Sequence, residues 1–105
     1  MIVMKFGGTS VRDVEAVRRL ASIVAREPRP CLVIVSALSG VTDALLALAR
    51  QAEKGAGEGA RRAVAELHRR HEAMSVLVRA PERRADLLAA IDASFRELDA
   101  VVHAL

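Results

Sequence analysis

The chain has 105 residues, of which 52% are hydrophobic, 28% are charged and only 2% are aromatic. That length suits one small domain or one layer of a larger one, and the aliphatic composition excludes a disordered tail. The 16 lysines and arginines exceed the 13 acidic residues and leave a net charge of +3. Without aromatic side chains interleaved among the cations, this excess does not predict a nucleic-acid-binding surface.

The single cysteine, Cys31, excludes an internal disulfide framework, and no cysteine and histidine pattern has the spacing of a structural zinc site. A free thiol is typical of the reducing cytoplasm. The sequence also lacks the pattern of a secretory signal peptide and any apolar run that approaches the length of a membrane span. We therefore expect a cytoplasmic protein with no membrane partner, no nucleic-acid partner and no resident metal.

Two short apolar runs predict buried β-strands. Ile2–Phe6 is closed by Gly7-Gly8, and Cys31–Val35 shows no polar alternation, which is typical of a parallel strand covered on both faces. Apolar residues at helical spacing lie between these runs: Val14, Val17, Leu20, Ala21 and Val24. The pattern predicts a βαβ unit, and such units are almost always right-handed.

The residues that flank the first helix predict its ends. Thr9 or Ser10 is the expected N-cap, because Ser10 and Asp13 have the spacing of a capping box. Pro28 and Pro30 are expected to end the helix, since proline disfavours helical geometry at and before its own position.

A second helix follows the second strand. It is expected to begin near Val41 or Thr42 and to end near Lys54, which completes a βαβα unit over residues 1–54. Residues 55–60 are interpreted as a glycine-rich connection. Their Gly-x-Gly-x-Gly pattern follows a helix, so it lacks the strand–turn–helix context of a dinucleotide-binding fingerprint.

Residues 61–105 predict an antiparallel hairpin of two amphipathic helices, with a break between Arg79 and Glu82 that contains Pro81. The last helix is still periodic at Leu105, and two strands are few for an α/β domain. We therefore expect that the chain is a truncated domain.

The first candidate site lies where the first predicted strand ends. Lys5 is followed by Gly7 and Gly8, whose missing Cβ atoms let a ligand approach the backbone N–H groups. Thr9 or Ser10 adds a hydroxyl, and the expected helix N-terminus favours an anion. These residues predict a phosphate-binding loop that is not of the Walker type, with an ordinary strand-to-helix turn as the alternative.

The second candidate site follows the second predicted strand. Ser36, Ser39 and Thr42 offer hydroxyls, and Gly40 permits close approach of a ligand to the backbone. The carboxyl ends of parallel strands lie at one edge of a sheet, where open α/β sheets bind ligands. Both loops are therefore expected at that edge, with simple helix capping by Ser39 or Thr42 as the alternative.

Three further side chains are expected to be structural. His68 and His71 lie three residues apart beside Glu72, but no third ligand completes a metal site, so solvated or packed imidazoles are expected. Cys31 opens a buried strand and is interpreted as a small core residue.

The two loops resemble one family. Val3–Val11 (VMKFGGTSV) looks like the N-terminal signature of aspartate kinases, within the amino-acid kinase superfamily, and Val33–Asp43 (VIVSALSGVTD) resembles that family's second strand and loop. Sister enzymes share the Lys-x-Gly-Gly core, whereas Phe6 and Thr9-Ser10-Val11 are typical of aspartate kinases. The resemblance covers residues 2–48. It implies an α/β fold, the N-terminal βαβα portion of a three-layer αβα amino-acid kinase domain, followed by the helical hairpin.

The resemblance implies a reaction and a phosphate site. ATP, supplied with Mg²⁺, would phosphorylate the side-chain carboxylate of L-aspartate to give 4-phospho-L-aspartate, the first step towards lysine, threonine and methionine. Lys5 would contact the transferring phosphoryl group. The phosphate oxygens would be held by Gly7, Gly8 and Ser10.

The resemblance also implies a substrate site, in which Ser36 and Thr42 contact aspartate and Gly40 gives close backbone approach. Family members continue with a Gly-Glu segment, an acidic residue that organises the phosphates, a nucleotide-base pocket and usually ACT domains, none of which is found in these residues. We therefore expect the chain alone to be inactive, and to form a homo-oligomer or associate with the remainder of the domain. The alternatives are a non-catalytic interaction module that retains a phosphate loop, and a related amino-acid kinase with another acceptor.

Overall fold

The computed structural model describes residues 1–105, which form two structural units, Met1–Thr42 and Asp43–Leu105. The first unit contains a two-stranded parallel sheet and one α-helix, and the second is helical. The predicted α/β class is therefore confirmed. None of the helices combines the length and the apolar character needed to cross a bilayer.

The sheet pairs strand β1 (Ile2–Phe6) in parallel with strand β2 (Cys31–Val35). The register places Phe6 opposite Val35, so the two strands end side by side. Both strands occupy the residues that the apolar runs predict. The loop that leaves each strand therefore begins at the same edge of the sheet.

The prediction that β2 is covered on both faces is wrong for this chain. Val3, Leu32 and Ile34 lie on one face of the sheet and are 57%, 49% and 47% exposed. The unit has a single crossover helix, and one helix can cover only one face of a sheet. The apolar sequence of β2 is typical of a strand that is covered on both faces, but this unit supplies only one covering layer.

Helix α1 (Val14–Arg26) begins later than expected, because a 3₁₀ turn, Gly8–Val11, separates it from β1. Its N-cap is Asp13, whose Oδ1 accepts a hydrogen bond from the backbone N–H of Ala16 at 2.8 Å. The prediction of Thr9 or Ser10 as the cap is therefore wrong. The helix ends at Arg26, two residues before Pro28, as predicted.

Helix α2 (Val41–Glu53) begins and ends within one residue of its predicted positions. Helix α3 (Gly57–Glu72) begins inside the segment expected to be a connection, so the connection shortens to residues 54–56. The chain turns at Gly55, whose φ of 81° suits glycine, and the N–H of Ala56 donates to the carbonyl of Gln51 at 2.9 Å.

Helix α4 (Pro81–Ala104) follows a second 3₁₀ turn, Ala73–Leu77. Pro81 occupies the first turn of α4 and does not lie in the break, because the first helical position needs no N–H donor. The predicted break between Arg79 and Glu82 therefore shortens to residues 78–80.

The predicted antiparallel hairpin of α3 and α4 is confirmed by the contacts between these helices. Arg61 faces Asp99 at 3.9 Å, while His68, further along α3, faces Asp92, which comes earlier in α4, at 3.7 Å. The second unit has a small aliphatic core. Its buried side chains are Leu48, Ala52, Ala60, Val64, Leu67 and Val102.

Candidate active site

The loops that follow β1 and β2 meet at Gly7 and Ser36. The backbone N–H of Ser36 donates to the carbonyl of Phe6 at 3.0 Å, which extends the strand pairing into both loops. A Cβ on Gly7 would lie 3.8 Å from the Oγ of Ser36, which is ordinary van der Waals contact. The two candidate sites predicted from the sequence therefore lie next to each other at the carboxyl edge of the sheet.

The first loop is a 3₁₀ turn that depends on a glycine. Gly8 has a φ of 54°, in the left-handed region that L side chains rarely adopt, and no atom lies within 4 Å of the position of a Cβ there. The N–H of Ser10 donates to the carbonyl of Gly7 at 3.1 Å. Because that bond closes the turn, the N–H groups of Gly8 and Thr9 have no partner within it and can receive an anion.

The second loop is also shaped by a glycine. Gly40 has a φ of 82°, and the N–H of Val41 donates to the carbonyl of Leu38 at 3.0 Å, as in a type II turn with glycine in its third position. The hydroxyl of Ser36 donates to the carbonyl of Ala37 at 2.9 Å, so its lone pairs remain available to a donor. Thr42 is exposed in the first turn of α2.

Lys5 supplies the positive charge of this edge. It lies one residue before the end of β1, opposite Ile34, and is exposed on the uncovered face of the sheet. No carboxylate lies within ion-pair distance of its ammonium group. A lysine without a counter-ion, two residues before the glycine turn, is available to a phosphate at this edge.

Asp13 corrects the expectation that the N-terminus of α1 favours an anion. Its carboxylate occupies the N-terminus of α1, and the hydrogen bond from Ala16 is the largest of the effects that hold its pKa below the ordinary value. Since this carboxylate already neutralises the helix terminus, α1 does not present its dipole to an anion at the glycine turn. Asp13 is therefore a capping charge at the start of this helix.

Two arginines beside the first loop were not identified as site residues from the sequence. Arg12 and Arg19 line a cavity of about 470 Å³ together with Thr9 and Ser10. Arg12 precedes the extended cap residue Asp13 and Arg19 lies within α1, so no regular spacing in the sequence indicated that they share a cavity.

His68 and His71 of the second unit are packed, in agreement with the structural interpretation. His68 stacks on Phe95 with ring centroids 4.9 Å apart, and His71 tilts against the same ring at 5.1 Å. The Nδ1 of His71 lies 2.7 Å from the carbonyl oxygen of Leu67. Cys31 is half-buried at the start of β2.

Residues 1–99, nearly the whole chain, match the Amino acid kinase family, and the chain belongs to this family. Within it, the similarity is to the N-terminal part of the amino-acid kinase domain of aspartokinases. The expected resemblance is therefore confirmed, and so is the fold that it implies.

Three relatives illustrate how much of such proteins this chain covers. The lysine-sensitive aspartokinase 3 of Escherichia coli (strain K12) is 47% identical over 55 residues, which is 52% of this chain and 12% of that protein. The aspartokinase of Chlamydia trachomatis is 41% identical over 75 residues, 70% of this chain and 16% of that protein. A Haemophilus influenzae protein, whose name marks it as a suspected inactive aspartokinase 3, is 49% identical over 47 residues, 45% of this chain and 39% of that protein.

Proposed function

We propose that this chain carries the phosphate-binding loop and the aspartate-binding loop of an aspartate kinase. The observation that carries the proposal is the contact between the two loops at Gly7 and Ser36, beside a lysine that has no counter-ion. Two anionic groups, a phosphate and a carboxylate, must come together in this reaction, so two adjacent loops rich in hydrogen-bond donors suit it.

The first loop is proposed to hold the phosphates of ATP. The ammonium group of Lys5 neutralises charge on the transferring phosphoryl group, while Gly7 and Gly8 allow phosphate oxygens to approach the backbone. Ser10 contributes its hydroxyl, because its N–H is already bonded to the carbonyl of Gly7. The guanidinium group of Arg19 adds positive potential on the neighbouring cavity wall.

The second loop is proposed to hold L-aspartate. The hydroxyls of Ser36 and Thr42 contact the substrate, and the open space at Gly40 lets its carboxylate approach the backbone. Because Ser36 lies against Gly7, an aspartate bound there has its side-chain carboxylate close to the phosphate loop. This proximity supplies much of the catalysis, since the reaction depends mainly on positioning and charge neutralisation.

In the proposed reaction, an oxygen of the aspartate side-chain carboxylate forms a bond to the γ-phosphorus of ATP. The bond from that phosphorus to the β,γ-bridging oxygen breaks, and ADP leaves with its electron pair. Mg²⁺ accompanies ATP as part of the substrate complex. The donor set of the loops consists of ammonium, N–H and hydroxyl groups, while the carboxylate of Asp13 is engaged at the helix N-terminus. These groups fit the phosphates of ATP.

We further propose that the 105 residues alone do not catalyse this reaction. They match only 12% and 16% of the lengths of the Escherichia coli and Chlamydia trachomatis proteins. The two loops account for charge neutralisation at the phosphate and for contacts to the acceptor. They supply no base pocket for adenine.

Acyl-phosphate trapping tests the proposal. The chain, and the longest polypeptide that its gene encodes, are incubated with ATP, Mg²⁺ and hydroxylamine together with aspartate or glutamate, and hydroxamate is measured. We expect hydroxamate with aspartate only, and only from the longer polypeptide. Equal turnover of glutamate would instead identify a kinase with another acceptor. Turnover by the chain alone would contradict the proposed inactivity, and no turnover by either would favour a non-catalytic interaction module.

A further inference from the structure

The cavity beside the first loop has an apolar side that the proposed reaction does not use. Its volume of about 470 Å³ lies within the range of about 300–1,000 Å³ that small-molecule sites occupy. Phe6, Leu20 and Ile23 form the apolar side, opposite the hydroxyls and the two arginines of the polar side. Ile23 is 48% exposed, so the apolar side is open to a ligand. An apolar surface with a few polar groups around it is typical of a site for a small organic molecule.

The cavity lies on the α1 side of the sheet, whereas Lys5 lies on the other side. Phe6 follows Lys5 in β1, and successive side chains of a strand point to opposite faces. Phe6 therefore faces α1, whose residues complete the cavity, while Lys5 is exposed on the uncovered face. Ser10 borders both the cavity and the proposed phosphate site. A ligand in the cavity is thus held without Lys5.

The charges around the cavity favour a ligand with a single negative charge. Arg12 is paired with Asp13 at 3.4 Å. No carboxylate lies within ion-pair distance of Arg19, and Glu15, one turn before it, is paired with Arg18 at 3.6 Å. Two guanidinium groups and one nearby carboxylate therefore leave one net positive charge. A carboxylate matches this charge, and it can accept two parallel hydrogen bonds from the planar guanidinium group of Arg19.

The lining residues also select against two other kinds of anion. None of them is acidic, so the ammonium group of a bound amino acid would have no carboxylate to pair with. Inorganic phosphate carries no apolar group, so it would leave the side formed by Phe6, Leu20 and Ile23 exposed to water. The ligand that fits is an anion with an apolar body and no positive charge.

We propose that this cavity binds a small organic monocarboxylate that lacks an ammonium group. The carboxylate pairs with Arg19, and the apolar body covers Phe6, Leu20 and Ile23. The hydroxyl of Thr9 lines the same cavity and donates to the carboxylate. The site is independent of the proposed kinase reaction, because its contacts do not include Lys5 or the second loop.

Amide chemical shifts of the ¹⁵N-labelled chain during titration with 3-phenylpropanoate test this site. The probe has one carboxylate and an aromatic body. We expect saturable shifts at Thr9, Ser10 and Leu20, and a Kd about tenfold higher for 3-phenylpropanamide, which lacks the charge. Phenylalanine, the α-amino derivative of the probe, and acetate, which lacks the apolar body, are each expected to bind about tenfold more weakly or less.

Two variants test the two sides of the cavity. Arg19→Gln removes the guanidinium group and is expected to raise the Kd of the probe about tenfold. Arg18→Gln is the matched control, because it changes the net charge equally from the next position of α1 and does not line the cavity. Ile23→Ser removes part of the apolar side and should raise the Kd about threefold or more. Circular dichroism of each variant checks that α1 is intact.

Lys5→Ala separates this site from the proposed kinase site, and it should leave the Kd of the probe unchanged. A loss in Lys5→Ala equal to that in Arg19→Gln would overturn the proposal, since the probe would then occupy the phosphate loop. The absence of saturable shifts would also overturn it, as would equal binding of the amide or of phenylalanine, or an equal loss in Arg18→Gln. A chain that binds the probe but not Mg-ATP would contradict the proposed function and support this separate site.

Discussion

The two units of this chain place their apolar residues differently. The second unit buries Val64, Leu67 and Val102 to 4%, 6% and 5% exposure in its helices. In the first unit, Val3 and Leu32 on the strands remain 57% and 49% exposed. The contrast teaches that the packed helices supply stability within this chain. The strands, by comparison, bring the two candidate loops to one edge of the sheet.

Truncation of the second unit's core is expected to have the largest effect on stability. Leu67→Ala removes a side chain that is 6% exposed, and such changes cost about 2–5 kcal/mol in free energy of unfolding. Leu32→Ala removes a side chain that is 49% exposed and is expected to cost about 1 kcal/mol or less. Urea unfolding of both variants measures the difference. Equal losses would show that the sheet contributes as much stability as the helices.

Removal of the charge at the sheet edge is expected to have the largest effect on binding. Lys5→Ala should weaken binding of Mg-ATP about tenfold, because a charge-assisted contact to phosphate is lost. Titration calorimetry measures the Kd. The only other lysine, Lys54, lies after α2 and provides the control, so Lys54→Ala should bind as the native chain does. A tenfold loss in both variants would mean that net charge, and not the loop, determines binding.

Alanine at the two left-handed glycines is expected to have an intermediate effect. Gly8→Ala and Gly40→Ala should each cost about 1 kcal/mol in free energy of unfolding, since both positions have φ values that L side chains avoid. Gly7→Ala is the comparison, because Gly7 has an extended φ of −138° and a Cβ there meets Ser36 at an ordinary distance. Chemical denaturation should therefore rank Gly7→Ala as the mildest of the three changes.

The smallest expected effect is the dependence of the first unit's stability on pH. The hydrogen bond from Ala16 holds the pKa of Asp13 below its ordinary value, and the hydrogen bond from the Arg29 side chain does the same for Glu27. Carboxylates with lowered pKa values stabilise the folded state above their ordinary pKa, near 4, and this contribution is lost as the pH falls through the folded pKa.

Thermal unfolding between pH 6 and pH 2 measures this dependence. Asp13→Asn keeps a capping side chain without a titrating group, so it should lose part of the acid sensitivity and shift Tm little at pH 6. Asp13→Ala loses the cap and should lower Tm by a few degrees at pH 6. Unchanged acid sensitivity in Asp13→Asn would show that protonation of Asp13 does not contribute to the acid sensitivity.

The elements of this fold were largely predictable, because strands and helices of this chain follow its apolar periodicity. Ile2–Phe6 and Cys31–Val35 form the predicted strands, and α2 begins where the spacing places it. The helix starts were harder to predict. Ser10 and Asp13 both have capping side chains, and the 3₁₀ turn Gly8–Val11, which contains Ser10 and leaves Asp13 as the cap of α1, cannot be inferred from local spacing.

The site was predictable in its composition and less so in its electrostatics. Glycines and hydroxyls after parallel strands predicted both loops, and the structure brings them into contact at Gly7 and Ser36. The sequence could not show that Asp13 takes the N-terminus of α1, or that Arg12 and Arg19 line a cavity beside Ser10. Those features depend on the residue at which α1 begins and on which side chains then face the first loop.

Amide chemical shifts of the ¹⁵N-labelled chain during titration with Mg-ATP test most directly whether the sheet edge binds phosphate. We predict shifts at Gly7, Gly8 and Ser36, no shifts along α3 and α4, and loss of the response in Lys5→Ala. Shifts confined to the helical hairpin, or a response that Lys5→Ala leaves intact, would contradict the assignment of the two loops to the substrates of a kinase.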